Sequence, residues 1–107
     1  MEGNVGPVST KAERQAARQQ VATYHEVQLA ALVQRVAAAI DRHRGGELDV
    51  FEVDEVIFQY QRAARHLWTF CQTTGSQAEF TAHIIQRMAE DGEAIDWWDR
   101  GQPRHRR

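Results

Sequence analysis

Glu79 and His83, four residues apart, are the nearest thing in this chain to a ligand pair, because that spacing puts a carboxylate and an imidazole on one helix face. Two ligands do not close a metal site. The Glu-x-x-His pairs of a di-iron bundle and the His-Glu-x-x-His of a zinc protease are both absent, so no metal or other cofactor is expected. Cys71 has His66 as its nearest histidine in sequence, but five residues on a helix turn the two apart, and Cys71 falls on an apolar face as a small buried hydrophobe. Asp54 and Glu55 are adjacent, hence splayed, and suit the positive end of a helix dipole better than acid–base work. Without a glycine-rich phosphate loop, a serine elbow or paired catalytic carboxylates, the sequence predicts no enzyme.

Basic and aromatic residues are more informative. Lys11, Arg14 and Arg18 share one helix face, and Arg104, Arg106 and Arg107 form a second cluster, so a nucleic-acid accessory role gripping phosphates is one reading. Against it stands the interval Glu47 to Asp99, with eleven acidic and three basic residues. Phe51 and Phe58 are seven apart and lie together on a face among Glu55, Arg62 and Arg65, away from the main apolar stripe. Trp97 and Trp98 are adjacent and cannot both turn inward on one helical turn. The expectation is therefore a non-enzymatic helical interaction module that self-associates or, alternatively, binds another protein, with Phe51, Phe58, Arg62, Trp97 and Trp98 meeting the partner.

The elements that carry these residues follow from periodicity and caps. A chain of 107 residues affords one thin core. Thr10 with Glu13 forms a capping box, yet Lys11 to Gln20 is nearly all polar and offers no evident docking face. Thr23 with Glu26 repeats the spacing, so the first helix either continues from a frayed start, the favoured case, or restarts near Tyr24. Leu29, Leu32, Val33, Val36 and Ile40 then form a stripe, ended by Gly45 in a left-handed cap. Asp49 with Glu52 opens the clearest helix, whose broad face comprises Val53, Val56, Ile57, Tyr60, Ala64, Leu67, Trp68 and Cys71. Ser76 with Glu79 starts a third, carrying Phe80, Ile84, Ile85 and Met88 and ending near Gly92. Ile95 and Trp98 predict a final helical turn folded over an end of the bundle.

The fold expected is an all-α, compact antiparallel three-helix bundle with polar, flexible ends: an arm over 1–22, partly helical or disordered, a helical domain over 23–99 and a basic tail over 100–107. A net charge of −2 gives no global pull on nucleic acid or membrane. One cysteine, no leader-like N-terminus and no long apolar run predict a reducing, cytoplasmic setting away from membranes.

The stretch Phe51 to Cys71 (FEVDEVIFQYQRAARHLWTFC), with Ala39 to Arg44 (AIDRHR) and Ile95 to Gly101 (IDWWDRG), resembles a group of short, uncharacterised bacterial helical proteins. The likeness spans roughly 29–107. It implies a compact helical unit in which the Trp-Trp segment belongs to the fold, and it carries over no activity, ligand or catalytic residue.

Overall fold

The computed structural model describes residues 10–72 and 77–103. Among these the chain is all-helical, with three main helices and a short fourth: α1 (Lys11–Arg44), α2 (Val50–Cys71), α3 (Gln77–Asp91) and α4 (Trp97–Arg100). Of the ends expected to be polar and flexible, the arm over 1–22 and the tail over 100–107, residues 1–9 and 104–107 lie outside the described residues, as does Ser76, the expected cap of α3; Lys11 to Ala22 belong to α1 and Arg100 to α4.

α1 is one unbroken helix of 34 residues, about 51 Å long at 1.5 Å per residue, with no restart at Tyr24. Its first turn is capped rather than frayed. The Glu13 N–H donates to Thr10 Oγ1 at 3.0 Å, and the Thr10 N–H donates to Glu13 Oε1 at 2.8 Å. The polar opening stretch does dock, because Ala17 and Val21 are buried in one cluster with Ala78 and Ala82 of α3. Small side chains let two helices approach without large apolar residues, so a scan for bulky hydrophobes passes over this contact.

The α1–α2 turn is closed by local bonds. Gly45 has φ −84°, and the left-handed residue is Gly46 at φ 82°, one position later than expected. The Glu47 N–H reaches back to the Arg42 carbonyl at 2.8 Å, Arg42 Nε meets Glu47 Oε1 at 3.1 Å, and His43 Nδ1 lies 2.9 Å from the Leu48 carbonyl. The helix that follows has reciprocal bonds between Asp49 and Glu52 at 2.8 and 2.9 Å.

α1 is the common partner, touching α2 over much of its length and α3 near its own start, while α2 and α3 scarcely meet. The core runs from Ala17 and Val21 through Leu32, Ala63, Leu67 and Cys71 to Trp97, and Leu67 is its largest fully buried side chain. Three residues expected in that core are exposed instead: Val33, Trp68 and Phe80. For α3 the reason is its single large neighbour. It presents Ala78, Thr81 and Ala82 to the interior, which turns Phe80 outward. Trp68 and Val33 lie at the edges of their stripes, beyond what one neighbouring helix can cover.

Because Leu67 has no exposed surface, Leu67→Ala is expected to cost about 2–5 kcal/mol, whereas Phe51→Ala, at a surface position, should stay within about 0.5 kcal/mol. Urea unfolding of the two variants at low protein concentration measures the contrast.

Candidate interaction surface

The C-terminal turn decides which side of α2 remains open. Asp96 caps α4 by accepting the Asp99 N–H at 3.0 Å. α4 does not sit over an end of the helices as expected; it lies against the middle of α2. Gln59 Nε2 donates to the Trp98 carbonyl at 2.9 Å, and Arg62 Nε donates to the Gly101 carbonyl at 2.6 Å. The Trp98 carbonyl, which also accepts the Gly101 N–H at 3.0 Å, thus takes a second donor from Gln59, and Arg62 serves the Gly101 carbonyl at the C-cap of this four-residue helix. Gly101 permits the approach, since a Cβ there would stand 2.5 Å from the Gln59 carbonyl oxygen and 2.7 Å from the Ala63 nitrogen.

Trp97 is 4% exposed and belongs to the core rather than to a partner surface. Its Nε1–H donates to the Tyr24 hydroxyl at 2.8 Å, and the Phe70 ring lies 5.3 Å from its own and 5.8 Å from that of Tyr24. Trp98 is half-buried under the Arg35 guanidinium, 5.3 Å from the ring centroid, and Arg100 stands 5.6 Å from the Trp97 ring. Of the five residues expected to meet a partner, the structure thus takes Trp97 and Trp98 into the α4 dock and ties Arg62 to the same dock.

Phe51 and Phe58 are left, 76% and 51% exposed. Trp68, at 54%, joins them. Sequence reasoning assigned Trp68 to the core, although its spacing of ten residues from Phe58 and seventeen from Phe51 places it beside their stripe. At ~100° per residue, Phe51, Asp54, Phe58, Gln61, Arg65 and Trp68 span an arc of about 100°. All six are exposed. Phe58 stands between two shallow hollows, one of about 360 Å³ lined by Phe58, Gln61, Arg62, Arg65 and His66, the other of about 330 Å³ lined by Glu55, Phe58, Gln59, Arg62 and Pro103.

The remaining candidates are scattered. Lys11 and Arg18 are exposed and Arg14 is half-buried on α1, while Arg104, Arg106 and Arg107 lie outside the described residues. His83 is exposed and Glu79 half-buried, and among the described residues no group of three or more metal-ligating side chains comes together. No helix among them is long and apolar enough to cross a membrane. His66 is exposed whereas Cys71 is buried, and burial pushes its thiol from 9.0 up to about 11. Tyr24 is also raised, chiefly by burial, against the lowering effect of the Trp97 hydrogen bond. No family model, curated protein or solved structure matches this chain.

Two outcomes follow from this geometry. Gly101→Ala should unseat α4, exposing Trp97 and shifting its fluorescence toward longer wavelength; an unchanged spectrum and stability would show that the backbone yields instead. Cys71 and Tyr24 both hold their protons more tightly folded than unfolded; the stability that Cys71 confers in this way is intact below about pH 9 and lost as pH rises through about 11, and Tyr24 acts in the same direction. Thermal midpoints should fall over that interval, and less steeply in Cys71→Ala.

Proposed function

We propose that the protein is a non-enzymatic helical interaction module that associates with a second copy of itself through the outward face of α2. One observation carries the reading: Phe51 and Phe58 are mostly exposed side by side on a helix whose other sides are already used by α1 and α4. Leaving two phenylalanines in water forfeits roughly 1.5–3 kcal/mol of burial each, and a partner surface recovers it.

The same reading takes α1, α2 and α3 as an antiparallel three-helix bundle. The five-residue turn from Gly45 to Asp49 supports a direct reversal between α1 and α2. So does the meeting of Tyr24, in the first half of α1, with Phe70, at the end of α2. The bundle supplies a rigid scaffold; the exposed stripe supplies the contact. Lys11 and Arg18 are exposed positions of α1 in this reading, whereas Arg35 and Arg42 are engaged by Trp98 and Glu47.

Light scattering over a dilution series tests the proposal. A dimer that dissociates on dilution is expected, with Phe58→Glu monomeric at every concentration and its helical circular dichroism retained. A wild-type chain that stays monomeric at high concentration overturns it.

A further inference from the structure

The exposed stripe of α2 has the spacing of a coiled-coil seam. Phe51, Asp54, Phe58, Gln61, Arg65 and Trp68 alternate steps of three and four, the pattern with which one helix presents knobs to another. Their order along the helix is apolar, acidic, apolar, polar, basic, apolar. Read backwards against itself, that order is complementary: Phe51 faces Trp68 of a second copy, Asp54 faces Arg65, and Phe58 faces Gln61. Read forwards against itself it is not, because Asp54 would meet Asp54 and Arg65 would meet Arg65.

The hollow beside Phe58 matches the same arrangement. A knob opposite Gln61 enters a hole made by the residues around that position on the facing helix. Phe58, Gln61, Arg62 and Arg65 all line the 360 Å³ hollow, which is large enough to admit a phenyl ring. Glu55 and Arg62, on one flank of the stripe, form a second pair of opposite charges between backward-aligned copies.

Resting on the self-association proposed above, we infer that two copies pair α2 against α2 in antiparallel register about a two-fold axis passing between Phe58 and Gln61. Phe58 of each copy fills the hollow of the other, Asp54 pairs with Arg65 at two symmetry-related places, and Trp68 covers Phe51 at both ends. A two-fold contact is self-complementary by construction, and this stripe satisfies that condition in one direction only. With three aromatic side chains per copy, each burying up to about 150–250 Å² and each already partly covered, the interface falls near the lower bound of specific ones, about 1,000 Å². The dimer is therefore dissociable.

Charge exchange across the seam tests it in the full-length chain. Asp54 and Arg65 are both exposed, so the variants should keep their helical signal. Asp54→Arg alone and Arg65→Asp alone each place like charges opposite one another twice per dimer. Each should weaken association about tenfold or more at low salt. The double variant Asp54→Arg with Arg65→Asp restores opposite pairs and should return to within about threefold of wild type, and an equimolar mixture of the two single variants should form a mixed dimer. Wild type that dimerises while neither single variant loses affinity would overturn the antiparallel register and leave self-association standing. A parallel seam gives that same result, since each single variant only exchanges one like-charge contact for another. Wild type that never dimerises would overturn both.

Discussion

The backbone of Gly101 presses on the backbone of α2 at Gln59 and Ala63, with no room between them for even a methyl group. The seating of α4 depends on that contact. With α4 held there, Trp97 reaches the Tyr24 hydroxyl and the Phe70 ring, so a single indole links α1, α2 and the C-terminal turn. Gln59 and Arg62 complete the dock by donating to the carbonyls of Trp98 and Gly101. A four-residue helix has little stability of its own, and here its position is fixed by a small residue, two donors and one buried ring.

That dock also governs what α2 has left to offer. α2 buries Val53, Ala63, Leu67 and Cys71 on its inner side, and the C-terminal turn takes the adjoining side at Gln59, Arg62 and Ala63. α3 lies along α1 and scarcely touches α2, so among the described residues no helix covers the third side. The buried core is rich in alanine, with Leu32, Leu67 and Trp97 as its large members. Such a core is thin for a helix of 22 residues carrying four phenylalanine and tryptophan side chains. In the account proposed here, the surplus apolar surface is a contact for a second copy, and Asp54 and Arg65 within it fix the direction in which that copy can lie.

Local signals in the sequence led to the right elements, since a helix start is written within four residues. Thr10 with Glu13 and Asp49 with Glu52 form the capping boxes their spacing implies, and the wheel alone puts Phe51 and Phe58 outward. Features that depend on distant residues were not legible. Ala17 and Val21 look inert until Ala78 and Ala82 come against them. Gly101 reads as a loop residue until α2 lies beneath it, and Gln59 reads as a surface amide until the Trp98 carbonyl comes within 2.9 Å. Trp68 was misplaced for a related reason: a wheel shows which residues share a side but not how far the neighbouring helix extends around it. Trp97 and Trp98 looked like interface anchors because nothing in their own segment covers them; their cover comes from Tyr24, Arg35 and Phe70.

The central claim is that α2's outward stripe, and not the tryptophan pair, is the surface this protein offers to another copy. Three tryptophans provide three indole N–H signals, that of Trp68 beside the stripe and those of Trp97 and Trp98 in the α4 dock. Proton–nitrogen correlation spectra recorded over a concentration series test the claim directly. The account predicts that the Trp68 indole resonance shifts with concentration, together with the amides around Phe58 and Gln61, while that of Trp97, bonded to the Tyr24 hydroxyl, stays fixed. A stationary Trp68 signal, or a concentration-dependent Trp97 signal in its place, would contradict it.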